Sequence, residues 1–190
     1  MSGRGLLPGP DGQPRCPWAV SAEEYVDYHD GEWGRRLSTD DEMFERLCLE
    51  GFQSGLSWLV ILRKRPAFRA AFANFAIPAV AGFGDADVAR LLADPGIVRN
   101  RAKILAAIGN ARIVADLPGG LLKYVEAYAP AKARKPPRTT ADIATESAES
   151  QALAADLRRQ GVRFIGPTTA YALMQATGLV NDHLKGCISR

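Results

Sequence analysis

Val162-Arg163-Phe164-Ile165-Gly166-Pro167-Thr168-Thr169-Ala170 joins two apolar segments through a tight turn. Gly166 lets the backbone approach a ligand closely, Pro167 presets the first turn of a helix, and the free amides of that turn attract phosphate. Arg158, Arg159 and Arg163 add positive charge on the same side. Gly166, Thr168, Thr169 and Arg163 are therefore candidate contacts to a DNA backbone, of the kind that positions a protein without reading sequence. An ordinary solvated corner between helices has the same composition, so the turn alone leaves both readings open. Outward from it, one helix is expected from about Ser147 to Arg159, ending at Gly161, and another from Pro167 to about Thr177, stopped by Gly178.

The rest of the chain carries the same helical punctuation. Ser21 with Glu24 and Thr39 with Glu42 fit capping boxes, so helices should begin at both places. Met43, Phe44, Leu47 and Cys48 recur at helical spacing, and Trp58 to Leu62 continues that apolar face. Asp85 opens another helix, Pro95-Gly96 breaks it, and Ile97 to Val114 reads as an amphipathic core helix with basic residues between its apolar ones. Residues 130–140 are basic, proline-rich and free of large apolar side chains, which predicts an exposed loop. Neither strand alternation nor an internal repeat is evident. The expected fold is all-α.

With 190 residues, 47% hydrophobic and 24% charged, the chain suits one globular domain over 15–190, preceded by a Gly/Pro-rich extension over 1–14 that is expected to be flexible. No apolar run approaches the ~20 residues of a membrane span, which points to a cytoplasmic protein without a membrane partner. The net charge is only +3, so affinity for a polyanion has to come from local clusters.

Three cysteines in such a chain do not form a disulfide framework. The only two histidines each lie near a cysteine, Cys16 with His29 and His183 with Cys187. His183 and Cys187 share a face if their segment is helical, and Cys16 and His29 flank a short helix. Four N/S ligands suit one tetrahedral zinc ion with no open position, a structural rather than a Lewis-acid role. Burial as ordinary core residues is the plainer alternative, and it is the reading favoured for Cys48 within its apolar stripe.

Trp18, Tyr25, Tyr28 and Trp33 crowd one segment, and Trp58 follows Glu50 by eight residues. Aromatic side chains at this density can line a slot for a flat base. A carboxylate at Glu50, inside an apolar stretch, needs a partner if it is buried; a cationic or amino-bearing ligand is one, a nearby arginine another.

RCPW (15–18), YHDGEWG (28–34), CLEGFQSGLSW (48–58), GIVRNRAKI (96–104), LVNDH (179–183) and HLKGC (183–187) together resemble the bacterial 3-methyladenine DNA glycosylase I family, from about Arg15 to Cys187. The resemblance implies an all-helical member of the helix-hairpin-helix glycosylases that excises N3-methylated purines from double-stranded DNA, acting as a monomer. It implies a zinc site at the joined termini held by Cys16, His29, His183 and Cys187. Glu50 matches the acid that binds the flipped base, Trp58 the ring that stacks on it and Tyr28 a further pocket residue, with Trp18, Tyr25 and Trp33 completing the wall. Two departures stand out. Phe164 occupies a position where the wider superfamily has glycine, and Asp182, the only acid near the place of that superfamily's catalytic aspartate, adjoins a zinc-ligand position and is expected to be structural. Two rival functions remain: a zinc-stabilised DNA-binding module without catalysis, in which Glu50 is incidental, and a helical partner-binding protein whose aromatic residues are core.

Overall fold

The computed structural model describes residues 3–190. They form nine α-helices, α1 (Glu23–Gly31), α2 (Asp40–Gln53), α3 (Trp58–Ala71), α4 (Ile77–Ala81), α5 (Asp85–Ala93), α6 (Arg101–Ala115), α7 (Leu121–Glu126), α8 (Ala148–Arg159) and α9 (Pro167–Ala176), with three short 3-10 turns. The fold is mostly helical, as the punctuation predicted, with one exception. Leu7–Pro8 pairs antiparallel with Pro14–Arg15, a short ladder that shows no alternation because each strand has only two residues. Of the extension expected to be flexible, Met1 and Ser2 lie outside the described residues. Arg4 exchanges hydrogen bonds with Thr140, its amide donating to the Thr140 hydroxyl at 3.0 Å and its carbonyl accepting from the Thr140 amide.

Helix starts follow the local side-chain chemistry. Thr39 and Glu42 form the expected capping box at the head of α2, the hydroxyl accepting from the Glu42 amide and the carboxylate from the Thr39 amide. The matching pattern at Ser21 and Glu24 does not cap α1. Ser21 closes a 3-10 turn, its hydroxyl donates to the Trp18 carbonyl at 2.6 Å, Ala22 takes the cap position, and Glu24 instead accepts from Arg63. The helix expected from Ile97 begins later, at Arg101. Asn100 caps it by accepting from the Lys103 amide, while Ile97 reaches the core from the preceding turn.

The core is assembled around α2, which packs against α3, α6, α7 and α9 and buries Phe44, Leu47, Leu49 and Phe52. Cys48 is buried there, as its stripe required, and burial raises its thiol pKa. A second, small cluster holds Cys16, Leu184 and Cys187. The chain ends meet where α9 stops. Gly178 adopts a φ of +71°, and a Cβ added there would lie 2.6 Å from the Gly34 carbonyl oxygen, while the Gly34 amide donates to Ala176. Gly178→Ala is expected to destabilise the protein by about 2–4 kcal/mol, from left-handed strain plus overlap. Chemical denaturation reads this as a lower midpoint, and an unchanged midpoint contradicts the close approach.

Candidate functional site

Trp18, Tyr25, Tyr28, Trp33, Glu50 and Trp58 line a single cavity of about 330 Å³, within the range of small-molecule pockets. Residues spaced three apart in α1, Tyr25 and Tyr28, share a face, and Trp18 closes edge-on against Tyr25 at 5.5 Å and against Trp33 at 5.1 Å between ring centroids. Trp58 begins α3 and meets Tyr28 at 5.5 Å, the rings tilted by 44°. Two rings that close leave no gap for a base between them, because stacking needs about 3.5 Å on each side. They form one wall against which a flat ligand can lie.

Glu50 belongs to α2 and is only 6% exposed. Arg46, one turn earlier, is the nearest candidate partner, but its Nη2 donates to Glu32 at 2.6 Å, and Arg65 donates to the same carboxylate with both terminal nitrogens. Burial alone would raise the Glu32 pKa, yet the two guanidinium groups hold it down to about 2. The other terminal nitrogen of Arg46, Nη1, is buried without a partner, and Glu50 makes no hydrogen bond or ion pair with it or with any other described residue. Burial pushes its carboxyl up to about 8, and the Arg46 charge offsets only part of this. The indole Nε1 of Trp58 is likewise buried without a partner. Neutral hydrophobic packing does not explain a carboxyl and an N–H left unsatisfied at one cavity. Lys103 fixes the link between these two residues. It is buried, and its Nζ donates to the carbonyls of Phe52 at 2.8 Å and Ser54 at 2.6 Å, which holds the end of α2 and the turn leading to Trp58.

Behind the aromatic wall, Cys16, His29, His183 and Cys187 place one donor atom each within 4.8 Å of all the others, and all four residues are buried. His29 Nε2 lies 3.1 Å from His183 Nδ1 and 3.4 Å from Cys187 Sγ, while His183 Nδ1 lies 3.7 Å from Cys187 Sγ and 4.0 Å from Cys16 Sγ. Tetrahedral coordination at ordinary Zn–N and Zn–S lengths gives edges of about 3.3–3.8 Å. The outer ring nitrogens settle the tautomers. His29 Nδ1 pairs with the Asp30 carboxylate at 2.6 Å and His183 Nε2 donates to the Trp33 carbonyl at 3.2 Å, so the two inner nitrogens carry lone pairs that face each other. Burial pushes the His183 pKa down to about 4 and that of Cys16 up to about 12 in the absence of a cation. Two facing lone pairs and two buried sulfurs can hold a metal ion. The cluster also braces the cavity, because Trp33 packs against the His183 ring at 4.6 Å and Trp18 against His29 at 5.1 Å.

Comparison with known proteins places the chain in a family. The sequence profile described as methyladenine glycosylase matches residues 18–190. The chain belongs to the methyladenine glycosylase family. It is 41% identical over 177 residues to DNA-3-methyladenine glycosylase 1 of Escherichia coli (strain K12), covering 91% of this chain and 95% of that one. The crystal structure of a 3-methyladenine DNA glycosylase I superposes with a TM-score of 0.86 at 39% identity, over 92% of this chain and 98% of that one. The Staphylococcus aureus 3-methyladenine DNA glycosylase I, described for its recognition of 3-methyladenine, superposes with a TM-score of 0.87 at 32% identity, over 92% and 95%.

In this methyladenine glycosylase, the six residues assigned to the pocket meet at one cavity and the four assigned to the metal meet at one cluster. The hairpin residues stand apart from both. Thr168 is exposed and Thr169 half-buried at the start of α9, whose cap residue Gly166 makes no side-chain hydrogen bond. Arg163 is exposed, but its Nη2 donates to the Leu105 carbonyl at 3.0 Å. Phe164 takes a φ of +57°, so it keeps the left-handed backbone that a glycine would enter without strain, and it leaves its ring 40% exposed. Four further residues line the cavity: Gln53, Ile143, Ala172 and Gln175. Gln53 lies one turn beyond Glu50 on the same face of α2, a signal the spacing contained. Ile143 comes from the chain after the basic loop, where no local pattern marks it.

Proposed function

We propose that this chain flips N3-methylated adenine out of double-stranded DNA and hydrolyses its glycosidic bond. The observation that carries this reading is a buried carboxyl without a protein partner at an aromatic cavity, in a chain of the methyladenine glycosylase family. N3-methylation makes the adenine of a nucleotide cationic. Glu50, ionised, then supplies the missing counter-charge and accepts from the exocyclic amine, and the Tyr28–Trp58 wall attracts a cationic ring through its π faces. Neutral adenine gains neither term. Flipping costs a few kcal/mol, less for a damaged base, so selection begins before the base reaches the cavity.

The leaving group is already activated, so no strong acid has to protonate it. As the bond from the sugar C1′ to N9 breaks, its electron pair passes to the base, which leaves neutral, and C1′ takes up a water oxygen whose proton goes to solvent. The protein's part is to hold the base extrahelical, orient it on Glu50 and exclude bulk water from that face. No lyase step is expected. The uncapped start of α9, with Gly166, Thr168 and Thr169, and the nearby Arg163 are assigned to the DNA backbone in the manner of a helix-hairpin-helix, and the chain acts as a monomer in the compartment that holds DNA.

The Cys16, His29, His183 and Cys187 cluster is assigned to one zinc ion, since its donor chemistry and spacing fit a closed tetrahedral site. Bound there, zinc would supply structural cross-linking of the two chain ends. Among the described residues no helix is long and apolar enough to cross a membrane.

Release of free base from methylated DNA tests the reading. Trp58→Ala is expected to lower kcat/KM for 3-methyladenine release by about tenfold to 100-fold, the worth of one base–aromatic stack. A variant that matches the wild type would remove Trp58 from the pocket, and a wild-type protein that releases no base contradicts the function.

A further inference from the structure

Gln175 and Asp182 belong neither to the aromatic wall nor to the Cys/His cluster, yet they join the two. Gln175 lies in the last turn of α9 and lines the cavity with Glu50 and Trp58. Its amide Nε2 donates to Asp182 Oδ2 at 2.9 Å, and the same oxygen accepts from the Tyr171 hydroxyl at 2.6 Å. Arg134 completes the chain by donating to that hydroxyl. Asp182 is 3% exposed and sits one residue before His183. Asp182 Oδ2 accepts from both the Tyr171 hydroxyl and Gln175 Nε2, so the Gln175 amide turns its NH2 toward Asp182 and its carbonyl oxygen away. That carbonyl makes no hydrogen bond with any described residue.

We infer that Gln175 is a specificity-determining residue of the base pocket: held in one orientation by Asp182, it offers its carbonyl oxygen as a second acceptor, beside Glu50, for the exocyclic amine of the flipped purine. The inference rests on reading the cavity as a 3-methyladenine pocket. The 6-amino group of adenine has two N–H bonds and satisfies two acceptors. Guanine carries a carbonyl at the same ring position, which would face two acceptors and supply no proton. A polar site built for one hydrogen-bonding pattern rejects its inverse more strongly than shape alone would. Asp182 is on this account a positioning residue, acting through Gln175.

All three tryptophans of the chain line the cavity, so their fluorescence reports its occupancy. Titration with free 3-methyladenine and free 3-methylguanine is the test, with release of 3-methyladenine from methylated DNA run alongside. Gln175→Met keeps the side chain's length and removes its polar atoms. It is expected to weaken 3-methyladenine binding about tenfold and, by removing one of the two acceptors that face the guanine carbonyl, to bind 3-methylguanine as well as or better than the wild type, narrowing the preference. Asp182→Asn should narrow it too, because a carboxamide can donate as well as accept and lets Gln175 turn either way. Should the methionine variant fail to fold, Gln175→Asn withdraws the carbonyl by one methylene and is expected to show the same narrowing. Wild-type affinity for 3-methyladenine in Gln175→Met, or an equal loss for both bases, overturns the inference. A wild-type protein that releases no 3-methyladenine overturns the cavity reading itself, which Gln175→Met alone cannot do.

Discussion

Glu50→Gln is expected to lower kcat/KM for 3-methyladenine release by about 100-fold or more, the usual consequence of neutralising one member of a buried, hydrogen-bonded charge pair. The same change should make the free protein more stable at neutral pH. An unfolded glutamate ionises near 4.5, whereas the folded Glu50 holds its proton up to about 8. Between those values the folded state binds one more proton than the unfolded state, so stability falls as pH rises through the window. Glutamine carries no such burden. The variant therefore gains relative stability as pH rises from about 4.5 to about 8, on the order of 4 kcal/mol at the upper end. Activity lost and stability gained have opposite signs, which general damage to the fold would not produce. Thermal melting across that pH range, paired with base release, checks both. A glutamine variant that excises at the wild-type rate removes Glu50 from the chemistry and revives the non-catalytic DNA-binding alternative.

Removing the metal should have the second large effect. Structural zinc binding is worth about 10–16 kcal/mol in small domains, and here the four donors join residues near both ends of the chain. Chelation of the purified protein is expected to release one zinc per chain and to lower the melting temperature by at least about 10 °C. His183→Ala should reproduce the loss. Because Trp33 and Trp18 lean on the histidine rings, binding of 3-methyladenine should weaken as well. Protein that contains no metal and melts identically with and without chelator contradicts the zinc assignment.

How much of this was legible in the sequence depended on how local the determining chemistry is. The Cys/His cluster could be read because the chain has only two histidines and each stands beside a cysteine, so few pairings exist. Thr39 and Glu42 could be read because a capping box is satisfied within one turn. The identical spacing at Ser21 failed because the 3-10 turn that Ser21 closes captured its hydroxyl and left Ala22 at the cap, while Glu24 turned to the distant Arg63. The roles of Glu50 and Trp58 came from resemblance, because nothing in their spacing shows that Arg46 turns its Nη2 to Glu32 and makes no ion pair with the Glu50 carboxyl. Lys103 is one of the basic residues between the apolar positions of its segment, but its partners are two backbone carbonyls some fifty residues away, which no local pattern encodes. Gln175, Ile143 and the approach of Gly178 to Gly34 depend in the same way on where distant segments meet.

Selection of a positively charged purine by a buried carboxylate makes excision depend on pH. The kcat/KM profile reports groups that titrate in the free enzyme. Glu50 is faced by Arg46 from its own helix and by Tyr28 from α1, with the Glu32–Arg65 pair behind, and Tyr28 and Glu32 titrate well outside the neutral range. Only ionised Glu50 balances the cationic base, so kcat/KM on methylated DNA should rise about tenfold per unit of pH below about 8 and level off above it, while the Glu50→Gln profile stays flat. A wild-type profile that is flat from pH 6 to pH 8, indistinguishable in shape from that of the glutamine variant, would contradict the account.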